Sequence, residues 1–230
     1  MSKTLKKIDQ AQYLALLVRA KVLESDGHGE KVLGLPDVTL VKVFLRKRWL
    51  STAILFPSAR RFVRDARQLA DREILTVRVL YAVYCPSVAR HLVTYQPLPG
   101  ITLRQTLNAA GRESFALLDT FACFVSSLHQ KGVYFRSLHF GNVIVPPDGG
   151  QLGLIDIADM SLYSGPLPVR LRARNFGHML RYREDRASLY EFGWDNFLDG
   201  YLKAAHLRPR DAQQLLARAD KVLDRWPALG

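Results

Sequence analysis

Asn142 and Asp156 offer an amide oxygen and a carboxylate, hard donors of the kind a cation such as magnesium takes. Asn142 closes the stretch Tyr134-Phe135-Arg136-Ser137-Leu138-His139-Phe140-Gly141-Asn142, which runs on into Val143-Ile144-Val145. Asp156 ends a second apolar run, Leu152-Gly153-Leu154-Ile155, so its carboxylate is presented at a strand end. Magnesium takes oxygen ligands and commonly draws one or two from protein, the rest from phosphate and water. Upstream of Asn142, Arg136, Ser137 and His139 offer a cation, a hydroxyl and an imidazole. A serine hydroxyl is no base near neutral pH, but it can hydrogen-bond to another hydroxyl and orient it. His139 and Asp159 are near enough in sequence to take a proton in its stead. Alternatively, His139 makes a structural hydrogen bond in its loop and Asp159 caps the segment after it. Lys42 lies inside the β-branched run Val38-Thr39-Leu40-Val41-Lys42-Val43-Phe44. A buried ammonium there needs an anionic partner, whereas an edge-strand lysine would turn to solvent. Gly27 and Gly29 could let backbone amides approach a phosphate, and a simple β-turn explains Gly-x-Gly equally well.

The elements that must position these groups can be read from periodicity. Residues 9 to 20 predict a short helix with Leu14, Leu17 and Val18 on one face. Residues 20 to 24 and 31 to 35 flank a Gly-containing loop and predict a hairpin, and 38 to 44 a strand. Residues 57 to 72 have helical spacing, with Phe62, Ala66 and Leu69 on one side and Arg60, Arg64 and Arg67 elsewhere. Strands are expected over 77 to 84 and 89 to 95. Gln96-Pro97-Leu98-Pro99-Gly100 then stops both helix and sheet and reads as a hinge. Beyond it helices dominate, over 112 to 131, 169 to 183, 189 to 205 and 210 to 223, with Gly132 a C-terminal stop. Runs 143 to 145 and 152 to 155 flank the turn Pro147-Asp148-Gly149-Gly150 and predict a hairpin under the Arg136–Asn142 loop. The reading is an α+β protein of two lobes, a β-rich residues 1–96 and a helical residues 97–230, with ligands expected where the lobes meet.

The chain has 230 residues and is 48% hydrophobic, enough for one substantial core or two small lobes, and 23% charged, which reads as globular rather than disordered. No apolar run is long enough to span a bilayer, and the polar, basic first ten residues have no signal-peptide core. A cytoplasmic location is expected. Cys85 and Cys123 lie far apart without metal-ligand spacing and read as two buried thiols. The net charge of +12 predicts attraction to something anionic: nucleic acid, an acidic membrane surface or a phosphorylated sugar. Arg170, Arg174, His178 and Arg181 fall on one helical face, and Arg46, Lys47, Arg48, Arg60, Arg61 and Arg64 form a second basic set. Both can be plain solvated faces. Guanidinium groups also suit phosphate oxygens, which makes Arg170, Arg174 and Arg181 candidates for an anionic acceptor. A nucleic-acid partner is disfavoured, because no binding motif is present and aromatics are not interleaved with the basic runs.

As a set, these residues resemble the H-R-D-x-x-x-x-N catalytic loop and D-F-G segment of protein kinases. Asn142 falls at the asparagine offset and Asp156 at the aspartate of D-F-G. Leu138-His139-Phe140-Gly141-Asn142, Lys42 and Leu154-Ile155-Asp156 are also similar to small-molecule kinases whose loop reads H-x-D-L-H-x-G-N. The chain looks like the lipopolysaccharide core (heptose/Kdo) kinases, near the Pseudomonas-type "toluene tolerance protein" group. Val93-Thr94-Tyr95 through Leu98-Pro99-Gly100-Ile101-Thr102-Leu103-Arg104 is similar to that family's hinge and following helix. The resemblance covers most of residues 20 to 185.

It implies a protein-kinase-like fold with a small β-rich N-lobe and a reduced helical C-lobe. It implies ATP and Mg²⁺ as cofactors, with Lys42, Gly27, Gly29 and Tyr95 on the nucleotide and Asn142 and Asp156 on the metal. Phosphate would pass to an inner-core sugar of a lipopolysaccharide precursor or other phosphorylated glycolipid, with peripheral contact at the anionic inner membrane. Three positions depart from the family pattern. Ser137 replaces the catalytic aspartate, Ala158 replaces the D-F-G glycine, and only Asp65 and Glu73 stand near the place of the helix glutamate. Phosphoryl transfer runs through a loose transition state. Losing a base worth about 10²- to 10⁴-fold therefore slows the reaction without forbidding it. Two readings stay open: an atypical phosphotransferase, and a pseudokinase that binds nucleotide or partners and regulates envelope assembly.

Overall fold

The computed structural model describes residues 5–27, 29–45 and 58–225. The chain divides into two compact units, Met1–Leu98 and Pro99–Gly230. The class is α+β, with the sheet first and the helices after.

In the first unit, β1 (Lys6–Lys7) leads into α1 (Gln10–Arg19), β2 (Lys21–Asp26), β3 (Gly29–Gly34), β4 (Leu40–Leu45), α2 (Ser58–Ala70), β5 (Leu75–Thr76), β6 (Arg78–Cys85) and β7 (Arg90–Gln96). One six-stranded sheet has the order β1-β6-β7-β4-β3-β2. It is antiparallel except for β1, which runs parallel to β6. A capping box starts α1: Asp9 Oδ1 accepts from the Gln12 amide at 2.7 Å, and Gln12 Oε1 accepts from the Asp9 amide at 3.0 Å. Tyr13 is the buried anchor of α1, with Leu16 and Leu17 packed on the same cluster as Leu33, Val41, Val43, Cys85 and Leu92. The expected face was turned: Leu14 and Val18 are exposed. Positions 13, 16 and 17 share a stripe, and the ring of Tyr13 offers the most area to bury. On α2, Ala59, Phe62, Ala66 and Leu69 are buried and Arg60, Arg64 and Arg67 exposed, as the spacing requires. Arg46, Lys47 and Arg48 of the second basic set lie outside the described residues.

The second unit begins with β8 (Ile101–Thr102) and α3 (Leu103–Ala110). A single 3-10 turn at Gly111–Ser114 precedes α4 (Ala116–Gln130), so the long helix starts later than its pattern predicts. Next come β9 (Val133–Phe135), β10 (Val143–Val145), β11 (Gly153–Leu154), β12 (Met160–Leu162), α5 (Val169–Met179), α6 (Arg183–Phe192), α7 (Trp194–Ala205) and α8 (Pro209–Leu223). Strand β10 pairs with β8 and β11, and β12 with β9. Helix α4 packs on α7 and α5 on α8. Phe121, Phe140, Phe176, Phe197 and Tyr201 form a buried aromatic core. The helix expected over 189 to 205 is two, split at Gly193, which has φ +101° and donates its amide to the Leu189 carbonyl at 3.1 Å. The helix expected over 169 to 183 stops at Met179, beyond which the Arg181 amide donates to the His178 carbonyl, an i to i−3 bond in place of the α-helical one. Cys85 is buried as expected, but Cys123 is exposed on α4.

Candidate functional site

The Arg136–Asn142 loop is held at both ends by sheet. Strand β9 pairs Phe135 with Met160, and the Arg136 amide donates to the Asp159 carbonyl at 3.1 Å. After the loop, β10 and β11 pair Val143 with Leu154. One further rung, from the Ile155 amide to the Asn142 carbonyl at 3.0 Å, brings Asn142 and Asp156 to the same end of the hairpin. Asn142 Nδ2 donates to the Ser137 carbonyl at 2.9 Å and so ties the loop across its neck. With its nitrogen so engaged, the amide presents its oxygen as the remaining polar atom. Asp156 has φ +51° and is exposed. A non-glycine residue in that region is strained, and such residues concentrate at functional sites.

A buried carboxylate fixes the middle of the loop. Asp185 on α6 accepts from the Phe140 amide at 2.8 Å and from Arg104 Nε and Nη2 at 2.7 and 3.0 Å. Arg104 also pairs with Glu184 at 2.9 Å and lies over the Tyr182 ring. The bidentate bond to Asp185 raises the affinity of Arg104 for its proton. The His139 ring packs 4.5 Å from that of Tyr182, and its Nδ1 is buried with no hydrogen bond among the described residues. Gly141 makes room for the ring, since a Cβ there would stand 3.2 Å from His139 Cε1 and Nδ1. Burial pulls the His139 pKa down, so the ring is neutral near pH 7.

Cations gather on one flank. Arg136 is exposed and ion-paired with Asp159, which gives Asp159 a partner in place of a capping role. His178 Nε2 meets the Tyr134 hydroxyl at 3.0 Å, and Arg181 approaches its Nδ1 at 3.4 Å. Burial, then Arg181 and Arg174, push the His178 pKa down to about 4. Arg170 and Arg174 are exposed on α5, whereas Arg181 stands in the turn beyond its end, not on the helix. Beneath β9, Asn175 clamps Phe135 through both main-chain groups, at 2.7 and 3.3 Å. His129 bridges Asn175 Oδ1 at 3.2 Å and the Tyr201 hydroxyl at 2.8 Å, and Arg172 donates to that hydroxyl at 2.9 Å. Only one proton order satisfies the chain: His129 Nε2 donates to Asn175, and Tyr201 donates to His129 Nδ1. Burial lowers the His129 pKa to about 3 and raises that of Tyr201 to about 12.

In the first unit, Lys42 sits on β4 between Val32 and Val93, half-buried, with its amine 5.8 Å from the centre of the Phe62 ring. Tyr95 is buried in β7 and packs on the same ring at 5.5 Å. Gly27 lies in the turn between β2 and β3, with open space where a Cβ would be. Gly29 starts β3 at φ +107°, where a Cβ would lie 3.1 Å from the Arg90 guanidinium. Asp65 is fully buried on α2 and paired with Arg64 at 2.6 Å; burial raises its pKa. Glu73 lies past the end of α2 at φ +54°.

No family model matches the chain, and no curated protein matches it in sequence. Among solved structures it is similar to the bifunctional kinase-methyltransferase WbdD, with a TM-score of 0.48 at 17% identity over 85% of this chain. A co-crystal structure of WbdD with the kinase inhibitor LY294002 gives 0.47 at 17%, and a 2.2 Å crystal structure of WbdD gives 0.47 at 16%. The chain spans 42 to 43% of the length of those chains.

Sequence reasoning missed Arg104, Asp185, Asn175 and Tyr182. Arg104 and Asp185 are 81 positions apart, and no local pattern marks them as partners. An asparagine inside an apolar helical stripe is the one usable signal for Asn175, since a buried amide must find partners.

Proposed function

We propose that the chain is an ATP-dependent phosphotransferase of the protein-kinase-like kind. The observation that carries this reading is the hairpin mouth of the second unit. There Asn142, tied to the Ser137 carbonyl, and Asp156, held at positive φ, come to one end of β10 and β11. Their amide and carboxylate oxygens fit Mg²⁺, which needs few protein ligands when phosphate supplies the rest. Bound Mg²⁺-ATP would supply the phosphoryl group and neutralise charge developing on it. Lys42, Gly27, Gly29 and Tyr95 are assigned to the nucleotide. Ser137 orients the acceptor hydroxyl, neutral His139 stands beside it in the loop, and Arg136 holds the loop through Asp159. Arg170, Arg174 and Arg181 bind the anionic groups of the acceptor, a phosphorylated core sugar of an envelope glycolipid.

Thermal denaturation with ATP and MgCl₂ tests the site. The native chain gains stability by mass action only when both are present, and Asp156→Ala abolishes the gain. A shift unchanged in Asp156→Ala overturns the metal assignment. One observation favours a second reading, nucleotide binding without transfer: Ser137 stands where a base would be. Single-turnover phosphate transfer to purified core oligosaccharide decides between the two.

A further inference from the structure

The first unit carries a second concave surface with no part in the reaction proposed above. It is a groove of about 1030 Å³ along α2 and β6, lined also by Leu5 and Lys6. Its floor is apolar, with Val63, Ala66, Val77 and Val79 joined by Leu80 and Tyr81, which are 42% and 52% exposed. Its walls are cationic. Arg60, Arg64 and Arg67 line one side at helical spacings that place them on one face of α2, over a rise of about 10 Å at 1.5 Å per residue. Lys6 and Arg78 line the strand side, where Arg78 Nε is steadied by Gln96 Oε1 at 2.8 Å. Of these five cations Arg64 is paired with Asp65, and the lining itself holds one carboxylate, Asp71.

Cations in two rows beside an apolar floor match an occupant with acids along both edges of an apolar stripe. That is the surface of an acidic amphipathic helix. A lipid headgroup concentrates its charge at one point, and a flat bilayer does not enter a groove. A polyanion without apolar side chains leaves the floor uncovered. We propose that the groove between α2 and β6 docks an acidic amphipathic helix of a partner protein.

Fluorescence anisotropy with a labelled synthetic peptide tests this. The probe is a helix of about five turns, or about 18 residues, with Leu at i, i+3, i+4 and i+7 and Glu on both flanks. Binding weakens as salt rises, and Lys6→Glu/Arg78→Glu, two exposed substitutions with the fold checked by thermal melting, weakens it about tenfold or more. A peptide with Lys replacing Glu along one flank recovers affinity for that variant. Leu80→Asp weakens the original peptide without changing the melting temperature. Equal binding by a scrambled peptide of the same composition, or by inorganic polyphosphate, overturns the proposal in favour of simple charge attraction. Binding of phosphatidylglycerol vesicles that depends on Lys6 and Arg78, with no peptide binding, overturns it in favour of a lipid surface.

Discussion

In the proposed reaction, turnover would depend most directly on Ser137. Its carbonyl is already pinned by Asn142, so the side chain at this position is aimed by the loop whatever its chemistry. Restoring a base there should therefore act without remodelling. Ser137→Asp is expected to raise transfer by about 10²-fold or more, the usual value of a positioned general base. Ser137→Ala should lower it if the hydroxyl orients the acceptor; unchanged turnover in steady-state assays removes that role. The buried histidine beneath the loop makes a second residue-scale prediction, about pH. His129 titrates near 6.5 in the unfolded chain and about 3 in the folded one. Between those values the unfolded chain binds the extra proton, so stability falls as pH falls below 6.5, by up to about 1.4 kcal/mol per pH unit. His178, with a folded pKa of about 4, acts in the same direction over the upper part of that window. Urea unfolding between pH 7.5 and 5 should show a slope that His129→Gln flattens, although the variant starts less stable at pH 7.

At the scale of elements, what aims the loop is the passage from α4 into β9. Gly132 makes that turn at φ +73°, and a Cβ there would lie 2.5 and 2.6 Å from the carbonyl oxygens of Tyr163 and Gly165. Those contacts are backbone and cannot swing away. Gly132→Ala should cost about 2 kcal/mol or more, combining left-handed strain with the clash, and should lower the melting temperature measurably. Asn175→Ala is the companion case, since it leaves the Phe135 amide and carbonyl without their side-chain partners, at about 1–3 kcal/mol. Gly132 was legible in the sequence because a glycine after an amphipathic run announces a stop. The β10–β11 hairpin was legible too, since Pro147-Asp148-Gly149-Gly150 admits little except a turn; Gly149 takes φ +67° and Asp148 accepts from the Gly150 amide. The flanking runs 143 to 145 and 152 to 155 place Asn142 just before one strand and Asp156 just after the other, at one end of the hairpin. The α1 face was not legible, because Leu14, Leu16, Leu17 and Val18 satisfy more than one helical register and only packing of Tyr13 selects one. Neither was the Arg104–Asp185 anchor, nor the division between α6 and α7, where Gly193 sits inside an otherwise continuous pattern.

For the whole molecule the governing quantity is charge. The net charge is +12, and exposed arginines occur in both units, Arg60, Arg64, Arg67 and Arg78 in the first and Arg136, Arg170, Arg174 and Arg181 in the second. No helix among the described residues is long and apolar enough to cross a membrane. The glycolipid acceptor proposed above would make attachment at a membrane surface useful, and anionic headgroups would make it electrostatic. Each basic side chain near an anionic surface contributes about 1 kcal/mol, over a range set by the Debye length of about 8 Å at physiological salt and about 30 Å at 0.01 M. The chain is therefore expected to co-sediment with phosphatidylglycerol vesicles at low salt, to release as salt rises, and to ignore phosphatidylcholine. Replacing Arg170, Arg174 and Arg181 together by Gln removes three exposed charges and should weaken partition by about 3 kcal/mol, more than a hundredfold, with the melting temperature held. Association that survives high salt would require an apolar anchor instead. Association untouched by the triple substitution would move the acceptor surface away from α5, and leave Ser137 and the hairpin mouth to be paired with a different set of cations.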